Sequence, residues 1–192
     1  LRGDEIVATQ MSNLGLENFL KSKKLKLIRT KVGDKYVFEQ MLKNDINLGG
    51  EQSGHIILSD YSTTGDGMLA ALQILAIMKL KNITAEKACK VFTAYPQITK
   101  NIPLTKNSQF NSTATQQLIA KSQQQLGDEG RILVRKSGTE PLIRIMAEGK
   151  NTAEIKKIAD KIANSINIGK NKSLTSKKGV QNAWKSISDS WV

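Results

Sequence analysis

The chain has 192 residues, 39% hydrophobic and 24% charged, enough for one domain or two small ones with a buried core. Its longest apolar stretch, Met68 to Leu80, is broken by Gln73 and Lys79, no secretory signal opens it, and a single cysteine, Cys89, allows no internal disulfide. Neither a membrane-spanning helix nor an internal disulfide is expected in this sequence, and a cytoplasmic setting is.

The net charge of +12 raises the question of an anionic partner. Only five of the 29 basic residues are arginine, and the lysines are scattered with few aromatics among them. That distribution reads as solvated faces rather than a nucleic-acid stripe. Two of the five arginines, Arg135 and Arg144, flank one short segment.

In chain order, Ile6 to Gln10 is a β-prone run, and Ser12 is expected to cap a helix carrying Leu14, Leu16, Phe19 and Leu20. Lys26 to Val32 reads as a second strand. Gly33-Asp34 opens a second helix through Val37, Met41 and Leu42. Asn47 to Gly54 is a Gly-rich loop, with paired glycines shaping a turn, ahead of a strand at His55 to Leu58. A long helix is predicted over Thr64 to Leu80, its methionines and leucines taken as core, with Asp66 as a cap. Thr84 caps a further helix through Ala88, Val91 and Phe92, and Cys89 is expected in the core. This alternation describes an α/β unit.

A boundary is expected near Tyr95-Pro96. Beyond it, Ile98 to Leu104 with Pro103 suits an edge strand. Thr113 to Leu126 reads as a helix, Gly130 to Lys136 and Pro141 to Glu148 as partner strands, and Thr152 to Ile166 as an amphipathic helix. The fold class is therefore α/β plus α+β. Three segments follow: an α/β domain over 1–94 whose N-terminus is left open to truncation, a small α+β domain over 95–168, and a Lys/Ser-rich tail over 169–192. The tail carries Val180, Trp184, Ile187 and Trp191 at helical spacing.

The segment Arg135 to Arg144 reads R-K-S-G-T-E-P-L-I-R. Ser137 and Thr139 offer hydroxyl donors, Gly138 admits close backbone approach, and the two guanidinium groups match phosphate oxygens bidentately. Successive backbone N–H groups in such a turn can also form a nest for an anion. Read without function, it is merely a hairpin with good turn residues. Gly49 to His55, G-G-E-Q-S-G-H, presents the Glu51 carboxylate, the Ser53 hydroxyl and the His55 imidazole, a set suited to sugar hydroxyl or amino groups. A structural turn with a hydrogen-bonded histidine is the plainer alternative.

These segments, with A-T-Q-M-S-N-L-G-L-E (Ala8 to Glu17), R-T-K-V-G-D-K-Y-V (Arg29 to Val37), T-T-G-D-G (Thr63 to Gly67) and Y-P-Q (Tyr95 to Gln97), resemble the α-D-phosphohexomutases. The similarity is nearest to their bacterial glucosamine branch and covers roughly residues 1–168. It implies a partial phosphohexomutase architecture, the third and fourth of four domains, the last TATA-binding-protein-like. It also implies an isomerase reaction: a phosphoserine passes its phosphoryl group to glucosamine 6-phosphate, and glucosamine 1-phosphate leaves by way of a 1,6-bisphosphate.

By the same resemblance, Glu51, Ser53 and His55 hold the sugar in both orientations, and Gly33, Asp34 and Lys35 line the same cleft. Lys35 stands where the family often has Arg. Arg135, Ser137, Gly138, Thr139 and Arg144 hold the phosphate that is not reacting.

The chain departs from the family pattern in one respect. The phosphoserine segment and the Asp-Gly-Asp magnesium loop belong to the first two domains, and neither is present. Gly65-Asp66-Gly67 and Gly3-Asp4-Glu5 lack alternating carboxylates. The expectation is a C-terminal half with no catalytic residue and no metal ligand of its own, inactive alone. Mg2+ and glucosamine 1,6-bisphosphate are expected for the full-length family, and the missing domains would come from a separate chain if at all. A non-enzymatic phosphate- or nucleic-acid-binding module, or a phosphomannomutase/phosphoglucomutase relative, stands as the alternative.

Overall fold

The structure, a computed structural model, describes residues 1–167; the tail beyond lies outside the described residues. The chain divides into two compact units, the first Leu1–Tyr95 and the second beginning at Pro96.

The first unit is built on β1 (Glu5–Thr9), α1 (Leu14–Ser22), β2 (Lys26–Thr30), α2 (Asp34–Lys43), β3 (Leu48–Gly50), β4 (Ile56–Leu58), α3 (Gly67–Lys81) and α4 (Ala85–Cys89). Its sheet has the order β2-β1-β3-β4, with β1 parallel to both β2 and β3, and β3 antiparallel to β4. The chain leaves β1 in one direction to reach β2 and returns past it to β3. Right-handed crossovers then place α1 and α2 on opposite faces of the sheet. The core lies under α2, where Val37 and Met41 meet Val7, Ile46 and Ile57. Gly49 makes this contact possible: a Cβ there would fall 2.4 Å from Met41 Sδ and 2.7 Å from Val37 Cγ1.

Several sequence expectations are corrected here. The cap of α1 is Asn13, whose side chain accepts the Gly15 N–H, while Ser12 is buried one residue earlier. Gly49 and Gly50 belong to strand β3 and do not shape a turn; the turn is Glu51 to Gly54, closed by Gly54 N–H to Glu51 O at 3.1 Å. Asp66 does cap α3, accepting the Leu69 N–H at 2.9 Å, so that helix starts at Gly67, later than Thr64. Its leucines and methionines are not core: Met68 is 73% exposed and Leu80 84%, and only Ala70 of the helix is buried. Cys89 is exposed, on a helix with no buried residue, and α4 ends there without continuing through Val91 and Phe92.

The second unit consists of β5 (Gln97–Pro103), α5 (Thr113–Leu126), a single 3-10 turn, β6 (Gly130–Lys136), β7 (Leu142–Gly149) and α6 (Thr152–Asn167). All strands are antiparallel in the order β5-β7-β6, so Pro103 sits on an edge strand where its missing N–H costs no ladder bond. Period-two alternation on β7 turns Ile143, Ile145 and Ala147 toward Ile155, Ile158, Ile162 and Ile166 of α6. Each such isoleucine contributes about 1.5–3 kcal/mol on burial. The opposite face of the sheet carries the polar residues of β7, Arg144 and Glu148 among them.

Candidate functional site

In the first unit, the loops that follow β1, β2 and β3 leave the sheet at its carboxyl end, where the strand order reverses. In open α/β sheets that switch point is where ligands bind. A cavity of about 450 Å³ reaches these loops, lined by polar Ser12, Asn13, Glu51 and His55 and by apolar residues such as Ile6 and Leu16.

Glu51 organises the rim. Its carboxylate is only 10% exposed; Oε1 accepts the Gly33 N–H at 2.8 Å and Oε2 accepts the Ser53 hydroxyl at 3.3 Å. Ser53 Oγ in turn lies 3.1 Å from His55 Nδ1, leaving the half-exposed imidazole edge free to meet a ligand. Gly33 has φ 130°, a conformation that an L side chain resists, and α2 starts directly after it. The structure thus brings Gly33, Glu51, Ser53 and His55 together through one carboxylate. Asp34 accepts the Lys35 N–H at 2.8 Å in the first turn of α2, where its charge suits the helix dipole. Lys35 projects outward and reaches Glu39 at 3.8 Å, so it is not drawn into the Glu51 cluster.

In the second unit, residues 137–141 form the hairpin between β6 and β7. The Ser137 N–H donates to Leu142 O at 2.8 Å, so this amide is not part of an anion nest. The Ser137 and Thr139 hydroxyls have no protein partner among the described residues, and the space beside Gly138 is open. Arg135 and Arg144 are directly opposed across the two strands. Both Nε–H groups are buried with no protein acceptor among the described residues. Arg144 Nη2 is bonded to Glu140, a residue that sequence reading had not singled out; nothing in the spacing marks which arginine it answers. Burial, and then the like charge of Arg144, lower the pKa of Arg135.

Farther along the same face, Arg131 donates to the fully buried Glu148 at 2.8 Å, and Glu148 also accepts from Gln97. Arg131 therefore has a matched carboxylate, whereas Arg144 meets the exposed Glu140 and Arg135 donates to a backbone carbonyl, that of Lys136, at 3.4 Å. The hairpin end of the sheet carries excess positive charge with unused donors, which is what binds an anion with several oxygens. Among the described residues no group of three or more His, Cys, Asp or Glu could hold a metal ion. Nor is any helix there long and apolar enough to cross a membrane.

Family models agree with this architecture. Residues 1–95 match the phosphoglucomutase/phosphomannomutase alpha/beta/alpha domain III, and residues 80–165 match the C-terminal domain of the same family. The chain belongs to the phosphoglucomutase/phosphomannomutase family. It is 52% identical over 166 residues to a phosphoglucosamine mutase of Rhizobium meliloti, covering 86% of this chain and 37% of that protein. It is 51% identical to a phosphoglucosamine mutase of Agrobacterium fabrum at the same coverage.

Among solved structures, N-acetylphosphoglucosamine mutase of Aspergillus fumigatus aligns with TM-score 0.73 at 20% identity, over 86% of this chain and 38% of that one. A second structure of that enzyme, with GlcNAc-6P and magnesium, aligns with TM-score 0.70 over 85% of this chain and 41% of that one. These likenesses establish the fold. The chain spans well under half the length of the curated family members it matches, and the matched part is C-terminal.

Proposed function

We propose that this chain is the substrate-holding half of a phosphoglucosamine mutase. Residues 1–94 would grip the amino sugar and residues 95–168 its unreacting phosphate. The opposed Arg135–Arg144 pair, with buried unanswered Nε–H groups next to the Ser137 and Thr139 hydroxyls, carries the reading. The names of the relatives, at about half identity, supply the sugar.

On this reading Glu51 is the anchor of the sugar loop, and Ser53 and His55 present hydroxyl and imidazole to the hexosamine. Gly33 joins the cluster through Glu51, and Asp34 and Lys35 follow it at the start of α2, Lys35 as an outlying charge. Arg135, Ser137, Gly138, Thr139 and Arg144 bind the phosphate. Holding the remote end of the substrate supplies orientation, which is most of what phosphoryl transfer asks of a protein.

The phosphoryl donor implied by the resemblance has no match in this chain. The carboxylates present do not fit magnesium either: Asp66 is committed to the Leu69 N–H, and Asp4 and Glu5 face Lys26. We therefore assign no reaction step to a metal here. The chain alone turns over no glucosamine phosphate, and the phosphoserine, magnesium and bisphosphate belong to the part of the relatives it does not span.

Calorimetric titration tests the reading. Glucosamine 6-phosphate should bind more tightly than either glucosamine or inorganic phosphate, and Arg135→Ala should abolish the difference. Equal binding of any polyanion, collapsing with salt and indifferent to the sugar, would instead favour a general anion- or nucleic-acid-binding module.

A further inference from the structure

The hairpin end of the second unit already holds an anion, and it is the protein's own. Arg144 Nη2 is bonded to the carboxylate of Glu140, four residues earlier in the turn. Arg135, directly opposite on β6, meets only the Lys136 carbonyl at 3.4 Å among the described residues. One carboxylate therefore stands against two guanidinium groups. Glu148, farther along this face, is fully buried and committed to Arg131 and Gln97, so it is no substitute.

Glu140 is placed to come and go. Its backbone is fixed, since its carbonyl accepts the Leu142 N–H at 2.8 Å and the Ser137 N–H closes the turn on Leu142 O at 2.8 Å. Its side chain is 52% exposed and that of Arg144 37%, an environment in which an ion pair is weak. Rotation of the Glu140 side chain alone frees the Arg144 fork, with the hairpin unchanged. The carboxylate answers neither of the two buried Nε–H groups. A phosphate has a second charge and more acceptor oxygens than a carboxylate, and so competes well for paired guanidinium forks.

From this we infer that Glu140 is a resident counter-ion, which the substrate's phosphate displaces from Arg144 and which takes the phosphate's place when it leaves. The inference rests on the proposed phosphate site and adds a means of release. A departing phosphate that left both arginines bare would leave slowly. Glu140, tethered within the same turn, re-pairs with Arg144 without having to diffuse there. Affinity is thereby held down, mainly through faster dissociation. A sugar held in both orientations, as the family resemblance implies, has to be let go between them.

Calorimetric titration of the full chain with inorganic phosphate tests this. Glu140→Gln should tighten binding roughly two- to fivefold, the strength of an exposed ion pair, and should enlarge the rise in melting temperature that phosphate produces. Glu129→Gln, which removes the same charge beside Lys150 at the other end of β6, should leave phosphate affinity unchanged. In an Arg144→Met background, Glu140→Gln should have no effect, because the partner it releases is gone. Unchanged binding by Glu140→Gln overturns the inference, and so does weaker binding, which would mean that the carboxylate orients Arg144 for the anion. Equal tightening in the Arg144→Met background, or by Glu129→Gln, overturns it too, since the effect would then be one of net charge. With any of these results the proposed function still stands if Arg135→Ala weakens phosphate binding. Binding indifferent to Arg135→Ala would defeat the proposed function, and this inference with it.

Discussion

Arg135 and Arg144 stand directly opposite each other on β6 and β7, two like charges in a position where sheets favour opposite ones. Their arrangement costs stability in the free chain, and on the proposed function a bound phosphate relieves it.

Arg135→Met should therefore leave the unliganded chain as stable as before, or more stable by up to about 1 kcal/mol. The same variant should lose the stabilisation that phosphate gives the parent, about 2.7 kcal/mol at a hundredfold excess over Kd. Melting curves in phosphate and in chloride at matched ionic strength check both halves. A phosphate shift that survives the substitution would place the anion elsewhere.

Glu51→Ala should destabilise the first unit by about 1–3 kcal/mol, because the Gly33 N–H loses a charged acceptor and Ser53 loses its anchor. Faster amide exchange at Gly33 would accompany the loss. Unchanged exchange there would show that the carboxylate does not tie the two loops.

Gly49→Ala should cost about 1–3 kcal/mol through overpacking against Met41 and Val37. The urea midpoint reads this directly. Pairing the change with Val37→Ala should recover part of the loss if the clash is the cause.

Glu17 supplies a pH test. Burial pushes its carboxyl pKa up, but hydrogen bonds and charge from Lys21 and Arg29 outweigh that and hold it below the ordinary 4.5. A depressed folded value means the stabilisation is present above the unfolded pKa and is lost as pH falls through the folded one. The stability gap between the parent and Glu17→Gln should therefore be open at pH 7 and close below about pH 4.3. A gap independent of pH would mean that the charge on Glu17 does not matter.

Much of this architecture is written in periodicity. Ile155, Ile158, Ile162 and Ile166 announce α6, and Ser137-Gly138-Thr139 between two β-prone runs announces the hairpin. Strand β3 is not announced, since glycine has little strand preference of its own and Gly49 is there because Met41 and Val37 need the room. Ser12 and Asn13 are equally good caps by type; the backbone decides between them, and Asn13 additionally reaches the Tyr95 carbonyl, 82 positions away. Burial of α3 was misjudged for a different reason. Leucine content reports that a helix wants cover, not what supplies it.

For the site, residue types pointed to Glu51, Ser53 and His55, yet their hierarchy comes only from geometry. The carboxylate faces inward and binds Gly33 while the imidazole faces out. Glu140 was missed because its pairing with Arg144 depends on how the hairpin folds back.

The separation of β1, β2 and β3 from the loops that follow them has an evolutionary consequence. Val7, Val37, Met41 and Ile57 hold the sheet from the α2 side, and none of them lies in a loop. On the proposed function, substitutions in the segments after Thr9, Thr30 and Gly50, at positions other than the loop-tying Glu51, can accordingly explore new hexose preferences while the scaffold keeps its folding energy. Variation and stability are inherited from different residues.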